Sequence, residues 1–196
     1  MSAVSMELHE KMVAETFSRG RVGMWCLIIA ESAIFAIFVA AYIFYIGKSP
    51  SGPTPQILSV PVITTICLLS SSLTMHWATA ALRKGNLLVF KLSWITTFTL
   101  GAIFLGGTAR EWHHLIFQEG FTVNTNLFGT TFYSLIGLHA SHVAIGLVAL
   151  GTVMILSLLG KVRAEHAERC EVLALYWHFV DAVWVVVFTV VYGLGR

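Results

Sequence analysis

The chain has 196 residues, of which 57% are hydrophobic and 11% are charged, and its formal net charge is +2 at pH 7. Soluble domains carry about 25% charged and about 45–50% apolar residues, so this composition excludes a disordered chain and a disulfide-rich secreted module. A net charge this small also argues against binding to a phosphate backbone, and no nucleic-acid partner is expected.

Five apolar runs are long enough to cross the hydrocarbon core of a bilayer as helices, which takes about 17–25 residues each. They predict an all-α membrane protein, a single five-transmembrane-helix bundle over residues 22–196 that follows a polar N-terminal tail at 1–21. A β-barrel would show segments of about ten residues with alternating polarity, which these continuous runs exclude. In chain order, the helices are expected at about 22–46, 57–82, 87–109, 129–159 and 172–194.

Lysine and arginine residues are distributed unequally between the two sides of this predicted bundle. The side opposite the N-terminal tail carries three of them, Lys48, Arg110 and Arg196. Because positive residues accumulate on the cytoplasmic side of membrane proteins, the N-terminus is predicted inside and the C-terminus outside. The N-terminal side carries nine such residues: Lys11, Arg19, Arg21, Arg83, Lys84, Lys91, Lys161, Arg163 and Arg169.

A layer of ionisable side chains lies inside the predicted spans, where such groups are costly and are therefore candidates for function. Its members are Glu31 in the first helix, His139 and His142 in the fourth, and His178 and Asp181 in the fifth. At about 1.5 Å per residue, Glu31 lies roughly 13 Å from the inner end of its helix, at the depth of His178 and Asp181. His178 and Asp181 also share a helix face, so Asp181 is expected to accept a hydrogen bond from His178, or either group to bridge to a neighbouring helix.

Three interpretations of this layer are open from the residues alone. The first is hydrogen bonding between helices, for all of these groups. The second is proton exchange at Glu31, which has no lysine or arginine at its depth. The third is a single haem between His142 and His178, although the histidines match neither a di-haem bundle nor a haem–copper catalytic subunit. These patterns assign no catalytic residue and no metal ligand.

Polar and aromatic residues near the helix ends have simpler expected roles. The adjacent His113 and His114 follow the third apolar run and are expected in a turn at the membrane interface. Tyr42 and Trp184 lie near predicted helix ends, where aromatic residues contact the interface or lipid. The serines at 70–72 lie inside the second helix, where hydroxyls bond backbone carbonyls or a neighbouring helix.

Four segments carry a specific resemblance. Residues 176–184 read Tyr-Trp-His-Phe-Val-Asp-Ala-Val-Trp, and residues 132–133 and 137–143 read Phe-Tyr and Gly-Leu-His-Ala-Ser-His-Val. Residues 68–74 read Leu-Leu-Ser-Ser-Ser-Leu-Thr, and Glu31 lies in the apolar segment 25–35. Together, these motifs resemble the cytochrome c oxidase subunit III family of haem–copper oxidases in its five-helix bacterial form, from about residue 20 onwards.

The resemblance implies a non-catalytic subunit III of a proton-pumping terminal respiratory oxidase, which takes electrons from cytochrome c or quinol and reduces oxygen to water. The chain is then expected in the bacterial inner membrane, directly against subunit I and in one complex with subunit II. It is expected to stabilise the catalytic subunit, bind lipid and support proton uptake, with Glu31 the most important residue. Haem and copper belong to the partner subunits, and no cofactor is expected in this chain.

Lys161 and Arg163, at the inner end of the fourth helix, are the candidate contacts to an anionic lipid head group. Two other functions are alternatives to the oxidase: an accessory membrane subunit of nitric oxide reductase, and a small b-type cytochrome. A small transporter would show repeated halves or broken helices at matching positions, and neither is visible.

Overall fold

The computed structural model describes residues 19–46, 48, 58 and 60–193, and these form five long helices with no β-strand among them. A 3₁₀ turn, Ala164–His166, leads into the last helix, and a π-helical turn, Thr189–Gly193, follows it. Residues 1–18 of the predicted polar tail lie outside the described part of the chain, as do residues 194–196. The helices are α1 (Arg19–Tyr45), α2 (Val62–Arg83), α3 (Leu87–Phe117), α4 (Leu127–Leu158) and α5 (Ala167–Phe188).

Four of these segments are long and apolar enough to cross a membrane: α1, α3, α4, and α5 together with its flanking turns. The helix α2 has 22 residues, but it is rich in serine and threonine. Most of those hydroxyls are hydrogen-bonded within the protein, as where Thr74 donates to the carbonyl of Ser71 and Thr79 to that of His76. The all-helical membrane architecture is therefore confirmed, while one of the five predicted spans is markedly more polar than the rest.

Consecutive helices run in opposite directions, as the contacts at the two ends of the bundle show. Arg21 at the start of α1 and Arg83 at the end of α2 both form ion pairs with Glu171 at the start of α5. At the other end, the ring of Tyr42 in α1 packs against that of Phe128 in α4, with centroids 6.0 Å apart. We call the end that carries Arg21, Arg83 and Glu171 the basic end.

The fully buried indole of Trp177 in α5 lies at the centre of the packing. It contacts the backbone of α3 at Gly101 and that of α4 at Gly146, where an added Cβ would lie 2.7 Å and 2.9 Å from the indole. Its Nε1 donates to Oγ of Ser71 in α2, at 2.8 Å. Four helices therefore meet at this indole because glycine lets two backbones approach it closely.

Several predicted helix boundaries are wrong. The third helix was expected to end at 109 but continues to Phe117, so His113 and His114 lie in its last turns rather than in an interface turn. The polar residues there end the apolar run without ending the helix, which stops before Gly120, a residue with φ of +63°. Helix α5 begins at Ala167 instead of 172 for the same reason: its first turn is polar and still helical.

The second helix begins later than expected. Residues 58, 60 and 61 are not helical, and α2 starts at Val62, directly after Pro61. A proline fixes φ and has no backbone N–H, so it suits the start of a helix and not its interior. The predicted start at 57 counted apolar residues of the connection as part of the span. In the first helix, conversely, residues 19–21 of the predicted tail are helical.

Candidate functional site

The five ionisable residues of the predicted polar layer separate into two clusters and one isolated ring. Glu31 pairs with His142, and this pair joins α1 to α4. His178 and Asp181 both contact Ser72, and this group joins α5 to α2. The ring of His139 has no hydrogen-bond partner among the described residues. The positions of these residues along the helix axes predict one layer. The rotation of each helix about its axis distributes them over different helix–helix interfaces.

In the first cluster, Oε2 of Glu31 lies 3.1 Å from Nε2 of His142, and Nδ1 of His142 lies 2.8 Å from the carbonyl oxygen of Leu138. A carbonyl oxygen only accepts, so Nδ1 carries a proton. In a neutral imidazole Nε2 is then an acceptor, and the contact with Glu31 requires one further proton. That proton resides either on the carboxyl of Glu31 or on the imidazole of His142. The pair is therefore a one-proton site.

Neighbouring rings hold this pair in place without burying it fully. The side chains of His142 and Glu31 keep 11% and 23% of their exposed area. The ring of Phe35 lies 5.0 Å from that of His142, and the hydroxyl of Tyr176 donates to the backbone carbonyl of His142 at 3.1 Å. Glu31 is thus a paired carboxyl at a half-open helix interface, and its proton partner is a histidine.

In the second cluster, Oγ of Ser72 lies 3.0 Å from Nδ1 of His178 and donates to Oδ2 of Asp181. Of the two arrangements expected for His178 and Asp181, the structure has the bridge to a neighbouring helix. Asp181 is 4% exposed, and its Oδ1 has no hydrogen-bond partner among the described residues. The hydroxyl of Ser72 therefore joins two titratable groups that do not contact each other.

His139 is an aromatic core residue. It is 1% exposed, and neither ring nitrogen has a hydrogen-bond partner within the described part of the chain. Its ring stacks on that of Trp184 with centroids 4.9 Å apart and contacts the edge of Phe104 at 5.8 Å. No hydrogen bond between helices is found at His139 in the described ranges, and its surroundings are aromatic.

Two aromatic residues expected at the membrane interface lie in the core instead. Tyr42 and Trp184 are 0% and 2% exposed. The indole Nε1 of Trp184 donates to Oγ1 of Thr65 in α2, at 3.2 Å. Position near a helix end does not show whether an aromatic ring faces lipid or a neighbouring helix, and this explains the error.

The basic end contains a cavity that the sequence did not reveal. Its volume is about 560 Å³, and it lies between α1, α2 and α5. Its polar lining consists of Arg21, His76, Thr79, Arg83, Lys84, Glu171 and His178. These residues come from three helices, so no local motif links them. The face shared by His178 and Asp181 and the run of serines at 70–72 indicate only the Ser72 cluster beyond the cavity. Elsewhere at this end, Lys161 and Arg163 are exposed in the connection between α4 and α5.

The described residues offer no group of three or more His, Cys, Asp or Glu side chains that could hold a metal ion. Both ring nitrogens of His142 are engaged, one by Leu138 and one by Glu31, and Nδ1 of His178 contacts Ser72. What the two clusters can do chemically is bind, hold and pass protons.

Comparison with known proteins supports the family resemblance over the whole chain. The family model described as "Cytochrome c oxidase subunit III" matches residues 2–196. The chain is 37% identical to cytochrome c oxidase subunit 3 of Alkalihalophilus pseudofirmus, over 89% of this chain and 86% of the relative. It is 40% identical to cytochrome c oxidase subunit 3 of Synechocystis, over 88% and 74%.

A third relative is named for a different electron donor. The cytochrome bo(3) ubiquinol oxidase subunit 3 of Pseudomonas aeruginosa is 35% identical, over 88% of this chain and 84% of the relative. The motifs around Glu31, Ser72, His142 and His178 thus belong to a match that extends through all five helices, and this chain belongs to the cytochrome c oxidase subunit III family.

Proposed function

We propose that this chain is the non-catalytic subunit III of a proton-pumping terminal oxidase that reduces oxygen to water. The observation that carries the proposal is the family match over residues 2–196. The relatives include subunits named for cytochrome c oxidases and one named for a ubiquinol oxidase, so the donor is either cytochrome c or quinol.

We place the chain in the bacterial inner membrane with all five helices crossing it and the basic end in the cytoplasm. The distribution of positive charge supports this orientation. Of the ten lysine and arginine residues in the described ranges, eight lie at the basic end, and only Lys48 and Arg110 lie at the other. Most serine and threonine side chains of α2 have hydrogen-bond partners inside the bundle, which makes a polar span tolerable in lipid.

The proposed direct partner is subunit I, with subunit II in the same complex. Helix α1 supports an external contact because only Phe35 and Tyr42 are buried along its length, while Ile29 and Ile37 are each 68% exposed. Haem and copper are assigned to the partner subunits, since His142 uses both ring nitrogens in hydrogen bonds within this chain. The proposed contribution of this chain is to stabilise subunit I, bind lipid and support proton uptake.

The proton role is assigned to the pair of Glu31 and His142, since that pair holds one proton at a partly exposed helix interface. The lipid role is assigned to Lys161 and Arg163, which are exposed at the basic end. Anionic head groups are attracted to such residues by about 1 kcal/mol for each positive charge near the membrane surface.

The test is gentle solubilisation of the membranes and purification through an affinity tag on this chain. The expected product is a complex with haem and copper in other subunits that consumes oxygen. Recovery of the chain alone, or with a haem bound to it, would contradict the proposal. Co-purification with a subunit that reduces nitric oxide would support the alternative reductase function, which the names of the relatives do not favour.

A further inference from the structure

The cavity at the basic end leads towards the second polar cluster. About 560 Å³ of space is far more than the roughly 10–15 Å³ that one water molecule needs, and its lining is rich in hydrogen-bonding groups. His178 belongs to that lining, together with His76, Arg83 and Glu171. A group at membrane depth on α5 therefore has a polar route to the end of the bundle.

His178 lies at the boundary between the cavity and the Ser72 cluster. Its Nδ1 lies 3.0 Å from Oγ of Ser72, while Nε2 has no hydrogen-bond partner among the described residues of the protein. Oγ of Ser72 also contacts Oδ2 of Asp181, and Asp181 is 4% exposed. The order from the cavity inwards is thus imidazole, hydroxyl and carboxyl.

A purely structural bridge would leave both carboxylate oxygens satisfied, since buried polar atoms are almost always hydrogen-bonded. Within the described part of the chain, Oδ1 of Asp181 has no hydrogen-bond partner, and burying a carboxylate with so few hydrogen bonds is costly. A proton delivered to this carboxyl removes the charge. The hydroxyl of Ser72 is the one side chain shown in contact with it.

We propose that His178, Ser72 and Asp181 form a proton relay that loads and unloads a proton on Asp181 from the cavity at the basic end. In the loading step, His178 is protonated on both nitrogens and Asp181 is ionised. The Nδ1–H bond of His178 breaks and its proton goes to Oγ of Ser72, while the hydroxyl proton of Ser72 goes to Oδ2 of Asp181. A neutral imidazole with its proton on Nε2 and a neutral carboxylic acid result. Water in the cavity supplies the second imidazole proton at Nε2 before this step. Unloading is the reverse: Nδ1 takes a proton back from Ser72, and Nε2 releases one to the water.

Charged groups on three helices surround the route from the basic end to His178. Arg21 on α1, Arg83 and Lys84 on α2, and Glu171 on α5 line the cavity. His76 on α2 lines it as well, together with His178. Arg21 and Arg83 are paired with Glu171, and His76 and His178 are the imidazoles of the lining, which can accept and donate protons. Glu31 and His142 form a separate pair between α1 and α4, so the relay is a second proton-binding site.

The experiment uses infrared spectroscopy on the purified complex that contains the chain, with the carbonyl stretch of a protonated carboxylic acid as the signal. Asp181→Asn is expected to remove one such band, and Glu31→Gln to leave that band in place. After transfer to D₂O, the band should shift quickly in the wild type and roughly 10²-fold more slowly in Ser72→Ala, the lower end of the effect of a positioned proton-transfer group. Ser70→Ala, on the same helix, is the matched control and should exchange like the wild type.

Three results would overturn the relay: no band assignable to Asp181 at any pH at which the complex is stable, wild-type exchange in Ser72→Ala, or equal slowing in Ser70→Ala. If Ser72→Ala does not assemble, Ser72→Thr should exchange like the wild type and Ser72→Cys more slowly, and equal rates would contradict the relay. The inference rests on the proposed function for its membrane setting alone. Purification of the chain without an oxidase would contradict the proposed function. The carbonyl band of Asp181 and its exchange in Ser72→Ala would still test the relay.

Discussion

Nε2 of His142 lies 3.1 Å from Oε2 of Glu31, and the other nitrogen of that ring is occupied by a backbone carbonyl. The two side chains therefore share one proton across the interface between α1 and α4. Glu31 therefore has a structural role, which is to join α1 to α4, and a chemical role, which is to hold a proton. Substitution can separate these two roles.

Glu31→Gln keeps the first role and removes the second. The amide N–H of glutamine donates to Nε2 of His142, so the helices remain joined, while no proton can be exchanged at that position. Assembly is expected to survive with a stability change of about 0.6 kcal/mol, the average for hydrogen bonds between membrane helices. Turnover, or its durability, should fall modestly in oxygen-consumption assays. Ser32→Ala is the control, since that exposed hydroxyl bonds only the carbonyl of Ile28 in its own helix. Loss of the complex in Glu31→Gln would show that the residue is structural.

Gly101→Ala should destabilise the bundle. The new Cβ would lie 2.7 Å from the buried ring of Trp177 and 3.0 Å from Leu147, and overpacking of this kind costs about 1–3 kcal/mol. Gly106→Ala on the same helix is the matched control, because no atom lies within 4 Å of its Cβ. The midpoint of thermal unfolding in detergent measures the stability of both variants. Equal midpoints for the two variants would mean that α3 does not pack on Trp177 as described.

Glu171→Gln should loosen the basic end. The carboxylate pairs with Arg21 of α1 and Arg83 of α2, and its neutral amide cannot balance both guanidinium groups. The midpoint of thermal unfolding should fall at low salt, and the difference from the wild type should shrink at high salt because these pairs are near the surface. Glu168→Gln, an exposed position one turn earlier, is the control and should change neither the midpoint nor its dependence on salt. If the midpoint of Glu171→Gln fell equally at low and high salt, the loss of stability would come from packing and not from charge.

His139→Leu and His142→Leu should have opposite outcomes although the residues are three apart on one helix. Replacing His139 removes no hydrogen bond and places an apolar side chain among aromatic rings, so stability is expected to be unchanged or raised. Replacing His142 leaves the carboxyl of Glu31 without its partner, which costs about 1–3 kcal/mol. Unfolding midpoints of the two variants test this. A clear loss of stability in His139→Leu would mean that the ring has a polar partner.

Removing the positive charges of Lys161 and Arg163 should weaken the binding of anionic lipid. At about 1 kcal/mol for each charge, the double alanine variant should lose about 2 kcal/mol of affinity. The amount of anionic phospholipid that co-purifies with the complex is the measurement. A double variant of Lys91 and Arg169 removes two positive charges from the same end. An equal lipid loss in both would indicate a general charge effect and no specific head-group site.

Much of this architecture was accessible from the order of residues. The apolar runs located every helix, because a span must be apolar over most of its length wherever it contacts lipid. The boundaries were less accurate, as at His113 and His114, since a helix continues through polar residues once it leaves the hydrocarbon. The motifs around His142 and His178 also indicated the family that the comparisons then showed.

The sequence by itself determined which polar groups lie at membrane depth, since a rise of about 1.5 Å per residue converts position into depth. It did not determine their partners. Glu31 binds His142 and not His178, and Asp181 bonds Ser72. His139 has no hydrogen-bond partner in the part of the chain that the structure describes. Only the tertiary structure decided this, because partners depend on how each helix is rotated about its axis against its neighbours. That rotation is set by packing around residues such as Trp177, which belong to no polar pattern.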